Sequence, residues 1–197
     1  MNYLAHLLLS REYPEEMVGN FLTDMLTWQE QQALAGGYMD GMMMHRQIDA
    51  YTDRHEAVRE CIRLIRGTQG KYAPVVVDIL FDYLIARHWF TYYKEPLELF
   101  VLEVYGILST HRTAMSERIW YRVERMIHAN WLVQYTTKEG LEFVFERLQS
   151  RTRFENNLQL AVRDFMDQYD LFEARFNQFF PDLLAQIPVW RESFAVE

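Results

Sequence analysis

Hydrophobic residues along this chain recur at helical intervals, and polar residues break into them as small islands. Residues 3–9 form an apolar run interrupted only by His6, with Ser10 and Arg11 marking its end. Pro14 followed by Glu15 and Glu16 reads as a helix start, because proline fits a first turn and carboxylates suit the positive end of the helix dipole. That helix carries Met17, Val18, Phe21, Leu22 and Met25, with Gly19, Asn20 and Asp24 as a polar island. A looser stretch follows, and the Gly36–Gly37 pair breaks it before the run MMMHRQIDAYTD at 42–53. Asp53 ends that helix or caps the next, in which Arg59, Arg63 and Arg66 repeat at helical spacing as a basic ridge. Residues 72–93 hold the longest apolar pattern. It is too long for a strand, and Asp78 and Asp82 fall at i, i+4, so it is predicted to be one buried helix in which Trp89 walls the pocket beside Asp78. Pro96 opens a further helix with Leu97, Phe100, Val101, Val104, Ile107 and Leu108 inward. Amphipathic helices continue to the end, the last long one over 158–180 and stopped by Pro181.

This pattern predicts an all-α fold, one compact multi-helix domain over 1–197 with about eight to ten helices. Composition supports it: half of the residues are hydrophobic and 15% aromatic, whereas there are only 8 glycines and 5 prolines. No repeat, low-complexity tract or linker divides the chain. Cys61 is the single cysteine, which rules out a disulfide within the chain and points to a reducing compartment. No apolar run reaches the length of a membrane span and no signal peptide is recognisable, so a soluble, cytoplasmic protein without a membrane partner is expected. A net charge of −8 argues against a nucleic-acid partner.

Charge changes the picture mainly by where it interrupts apolar helices. His45, Asp49 and Asp53 recur every fourth residue, turning by only about 40° per step, so an imidazole and two carboxylates share one helix face. Isolated carboxylates in apolar helices are costly unless paired, hydrogen-bonded or bound to a cation, which makes a metal the expected resident. Imidazole with carboxylate suits Mn²⁺, Mg²⁺, Fe or Zn²⁺ rather than a soft thiolate site. His88 turns away from Asp78 on its helix and fits a proton-transferring role better than a ligand role. His55, His111 and His128 have no companion pattern and are read as surface or structural residues. Glycine-rich phosphate loops, H-E-x-x-H and the di-iron Glu-x-x-His pattern are all absent.

Four blocks in this order, MNYLAHLLLS, GNFLTDML, MHRQIDAYTD and DILFDYLIARHW, resemble the bacterial acyl carrier protein phosphodiesterases. NWLVQY and RFNQFFP extend the likeness over nearly the whole chain. The resemblance implies hydrolysis of the phosphodiester joining 4′-phosphopantetheine to a serine of holo acyl carrier protein. It also implies a divalent metal, most often Mn²⁺ with Mg²⁺ or Fe²⁺ as alternatives, on a helical scaffold distantly related to the HD phosphohydrolases. Carried over by residue, it marks Asp24, His45, Asp49 and Asp82 as metal ligands or site residues, with His6 and His88 as catalytic candidates nearby; Asp78, one turn before Asp82, joins the catalytic candidates from its spacing. Where some members have a histidine two positions before His45, this chain has Met43. No histidine is followed directly by aspartate, so the ordinary HD pattern is not met. Acyl carrier protein is acidic, and the Arg59, Arg63 and Arg66 ridge is the expected surface to receive it. The rival readings are an HD-like phosphohydrolase of a nucleotide or other small phosphodiester, and a helical protein that binds an acidic partner without cleaving it.

Overall fold

Proline, glycine and side-chain caps punctuate the chain, and the elements between them are all helical. A computed structural model describes residues 1–194. Within them the order is α1 (Tyr3–Leu9), α2 (Pro14–Leu22), α3 (Trp28–Gln32), α4 (Gly37–Arg54), α5 (Glu56–Gln69), α6 (Ala73–Arg87), α7 (Trp89–Tyr92), α8 (Leu97–Thr110), α9 (Glu117–His128), α10 (Trp131–Gln134), α11 (Lys138–Gln149), α12 (Ala161–Met166) and α13 (Tyr169–Phe194). Short 3-10 turns join several of them, and no strand occurs among the described residues. Thirteen helices exceed the expected number because several are single turns that an apolar pattern does not resolve.

Local chemistry explains most boundaries. Pro14 takes the first position of α2 with Glu15 and Glu16 in its first turn. Thr27 and Glu30 form a reciprocal capping box at α3. Asp53 caps nothing: α4 runs on to Arg54, and the His55 ring caps α5 by accepting from the Ala57 amide. The helix predicted over 72–93 breaks at His88, where ψ of 21° ends α6. Trp89, placed by the break, is buried against Tyr93 and Phe100 rather than lining a pocket near Asp78. Pro181 does not stop the last helix. α13 carries Pro181 and Pro188 inside it, because Phe176, Phe179, Phe180, Leu183 and Ile187 keep one continuous buried stripe across them. Burying that stripe outweighs the loss of about 3 kcal/mol that an interior proline costs. The segment before it turns at 158–160 and forms α12 separately.

The buried residues form one continuous cluster. α6 lies at its middle, apolar almost all round and buried from Ala73 to Ile85 apart from a few positions. α1 packs inside, with Leu4, Ala5 and Leu7 completely enclosed. α2 and α4 cross so closely that a Cβ on Gly19 would lie 2.1 Å from the Tyr38 carbonyl oxygen, and one on Gly41 would lie 2.2 Å from that of Glu16. Both clashes are with backbone, which has nowhere to move unless the helices part. Gly41→Ala is therefore expected to destabilise the fold by about 1–3 kcal/mol. Gly67→Ala, in exposed helix with nothing within 4 Å of its Cβ, should stabilise by about 0.5–1 kcal/mol. Urea denaturation of the two variants beside the parent checks both signs.

Candidate metal centre

The close α2–α4 crossing places Asn20 between two histidines. Its side-chain nitrogen donates to the His6 carbonyl at 3.1 Å and to Ser10 Oγ at 2.9 Å. Asn20 Oδ1 is thus left to accept, and His6 Nδ1 donates to it at 2.7 Å. The Asn20 backbone carbonyl, which can only accept, takes the Nδ1 proton of His45 at 2.9 Å. One residue engages Nδ1 of both rings and turns each Nε2 the other way, that of His6 lying 3.2 Å from the Met1 carbonyl oxygen. The two rings stack at 4.2 Å and 17°.

Both Nε2 atoms face Asp49, which lies one turn after His45 on α4. Asp49 Oδ1 is 3.3 Å from His6 Nε2, and Oδ2 is 3.1 Å from His45 Nε2. Asp24, in the turn after α2, brings Oδ1 to 3.2 Å from the same His45 nitrogen. One ligand atom each from His6, His45 and Asp49 lie within 4.8 Å of one another. His45 Nε2 is buried and, although two carboxylate oxygens stand beside it, its geometry makes a hydrogen bond with neither. The donors stand close enough together to share one cation. That arrangement, with nitrogen and oxygen donors only, fits a divalent cation.

Electrostatics divide the group by burial and neighbours. Burial pushes His6 below the ordinary imidazole range, which keeps it neutral as a ligand must be. Burial opposes the charge on His45 too, yet Asp24 and Asp49 carry its pKa up to about 9. Burial alone would raise Asp49, but His45, His6 and the Met1 amino group hold it far below the usual carboxylate range. The contact with His45 lowers Asp24, the most open of the four.

The remaining sequence-predicted residues lie around this cluster or away from it. Asp78 meets the Met1 amino group at 3.2 Å, and that amino group also touches Asp49 Oδ1 at 3.3 Å. Asp78 thus joins the centre through Met1, and burial raises its pKa. Asp82 is fully enclosed and spends both oxygens on backbone, accepting from Leu4 at 2.8 Å and Ala5 at 3.0 Å. Its burial pushes it up to about 7, partly offset by those two amides. It fastens the first turn of α1 to α6 and does not enter the cluster. His88 sits on Phe176 and contacts Glu173 at 2.8 Å, also outside the cluster. On α5, Arg63 pairs with Glu56 at 2.5 Å and Glu60 at 3.9 Å, and Arg59 donates to the Asp53 carbonyl at 3.1 Å. Asn20, which sequence reasoning noted only as Asp24's neighbour, organises the site. A buried asparagine one turn before a carboxylate in an apolar helix was the available signal.

A helical domain that brings two imidazoles and a carboxylate of α1 and α4 within 4.8 Å of one another, with Asp24 beside His45, defines a protein with a candidate site for a divalent cation. This chain belongs to the acyl carrier protein phosphodiesterase family, whose model matches residues 1–183, and the family makes it a hydrolase. Among its relatives is the acyl carrier protein phosphodiesterase of Enterobacter sp. (strain 638), 30% identical over 187 residues that cover 94% of this chain and 97% of the other. The proteins of the same name from Escherichia coli O139:H28 and from the K12 / DH10B strain are 29% identical over the same 94% and 97%. No solved structure shows a significant match.

Separate roles for Asn20 and Asp82 lead to separate outcomes. Asn20→Ala should weaken Mn²⁺ binding about 10–100-fold, since both histidine rings lose an orienting partner or its setting. Asp82→Ala should cost about 1–3 kcal/mol of stability by leaving buried amides unpaired, while the folded fraction still binds Mn²⁺. Calorimetric titration and thermal melts, run on both variants, distinguish the two effects.

Proposed function

We propose that this protein hydrolyses the phosphodiester linking 4′-phosphopantetheine to a serine of holo acyl carrier protein, releasing the prosthetic group and the apo protein. The observation that carries the reading is the buried His45 Nε2 with two carboxylates beside it, in a chain of this family. His6, His45 and Asp49 would hold the cation, with Asp24 closing the set; Mn²⁺ suits these donors, and Mg²⁺ or Fe²⁺ would be accepted by the same types. When bound, such a cation polarises a phosphoryl oxygen and lowers the pKa of a coordinated water.

The chain's own residues supply the rest. Asn20 fixes both rings so that only Nε2 is presented. Asp24, whose side chain is 68% exposed, is the carboxylate that meets incoming substrate and can take a proton from the attacking water. Water oxygen bonds to phosphorus as the bond to the serine oxygen breaks, and the serine leaves with a proton. Asp78 and Met1 hold Asp49 in place from behind. Among the described residues no helix is long and apolar enough to cross a membrane. Cys61 is buried with its thiol pushed up to about 12 by burial, which keeps it protonated and unreactive.

Incubating the protein with holo acyl carrier protein and Mn²⁺ should yield a carrier lighter by one phosphopantetheine in a mass spectrum. His45→Ala and Asp49→Asn should each slow the reaction by about 10²-fold or more. An unchanged carrier mass with cleavage of a nucleotide diester would assign a small-phosphodiester hydrolase instead, and binding without cleavage of either would assign a carrier-binding protein. Metal binding should also depend on pH. His45 holds a proton up to about 9 in the metal-free protein, and the cation must displace it, so apparent affinity should rise about tenfold per pH unit between 7 and 9. Titrations in buffers of different ionisation heat would show one proton released per cation.

A further inference from the structure

A groove of about 1220 Å³ runs between α9, α10 and α11 on one side and the start of α1, the end of α2 and α6 on the other. Its rim bears Arg118, Arg122, Arg125, Arg147 and Arg151 against one acid, Glu117. The chain as a whole has 28 acidic and 20 basic side chains, so this surface runs against the balance of the molecule. Among the described residues only Arg118 of the five is ion-paired, to Glu30 at 2.7 Å. Arg147 and Arg151 rest over the Trp131 ring at 4.9 and 5.8 Å, which holds their guanidinium planes in place without neutralising them. The floor is apolar, built from Phe21, Met25, Ile79, Val123, Met126 and Val144.

The groove opens beside the candidate metal centre. Met25 follows Asp24, Val75 and Ile79 lie on either side of Asp78, and Asn2 follows Met1, whose carbonyl is 3.2 Å from His6 Nε2. Tyr3, on the groove wall, joins the two fields. Burial raises its phenol, and Asp24 on the site side and Arg122 and Arg151 on the groove side act on it in opposite directions. The α5 ridge carries three cations, Arg59, Arg63 and Arg66, against five around the groove, and of the three Arg63 alone is ion-paired among the described residues. Arg63 is engaged by Glu56 and Glu60, and Glu60 also pairs with Arg175.

We propose that this groove is where the acidic carrier protein docks, its acidic face over the arginine rim and its phosphate-bearing arm along the apolar floor towards the His/Asp cluster. The inference rests on the carrier-protein reading given above. Charge complementarity carries it: unpaired guanidinium groups beside a hydrolytic centre attract an anionic protein and recognise its phosphate, and they speed encounter more than chemistry.

Steady-state cleavage of holo acyl carrier protein with Mn²⁺, followed by mass spectrometry, tests it. The Arg122→Glu/Arg151→Glu pair should raise KM at least about tenfold, with the loss in KM rather than kcat, and should flatten the rise of KM with salt. The Arg59→Glu/Arg63→Glu pair serves as the rival surface and should raise KM by a smaller factor. If the groove pair melts early, Arg122→Ala/Arg151→Ala removes charge without adding any and should still raise KM about threefold or more. Groove variants that match the parent while the parent cleaves the carrier overturn the docking site alone, as does a larger loss on α5. Self-association of the parent abolished by the groove variants assigns the groove to a second copy and also overturns it. A parent that neither binds nor cleaves the carrier overturns the functional reading, and the docking site falls with it.

Discussion

Two helix backbones in direct contact set the rest of this structure in place. α2 and α4 approach until glycine hydrogens are all that fits between them, at Gly19 and Gly41. Only at that separation does the Asn20 carbonyl come within 2.9 Å of the His45 ring while its side chain still reaches His6. The hydrogen bonds that orient the two rings therefore depend on a steric condition at Gly19, next to Asn20, and at Gly41, one turn before His45. A wider crossing would leave the same residues near one another but with their nitrogens free to turn.

The centre shows how burial and partnership divide labour among chemically similar groups. Asp49, Asp78 and Asp82 are all partly or wholly withdrawn from water, yet their surroundings send them in different directions. Two imidazoles and an amino group hold Asp49 ionised, and burial raises Asp78 and Asp82. Asp82 answers to backbone amides and acts as a structural anchor. A carboxylate's neighbours, more than its place in a sequence pattern, decide whether it meets a cation.

Much of this could be read from residue order. Helical periodicity gave the fold class, and spacing of four gave the shared face of His45 and Asp49, because both follow from helix geometry alone. Asp53 shares that periodicity but lies near the helix end, exposed, where α4 has left the core. The true destinations of Asp82 and His88 were hidden because each depends on a partner far along the chain: Leu4 and Ala5 for one, Glu173 for the other. The arginine groove escaped notice for a related reason. Its charges come from α9 and α11, which look like ordinary solvated helix faces until the fold sets them across from the start of α1. Pro181 misled because a local rule was opposed by a long aromatic stripe.

The bond from Asp82 to α1 spans 78 residues. His6 is held by Asn20, close by in sequence, but the turn that carries it is fastened by a carboxylate of α6 far along the chain. A chain made only as far as α5 would have Asn20 to hold His6, while the Leu4 and Ala5 amides would still lack their acceptor. The candidate metal centre thus depends on contacts of very different sequence separation, and a chain halted before α6 would carry His6, His45 and Asp49 without the anchor of α1.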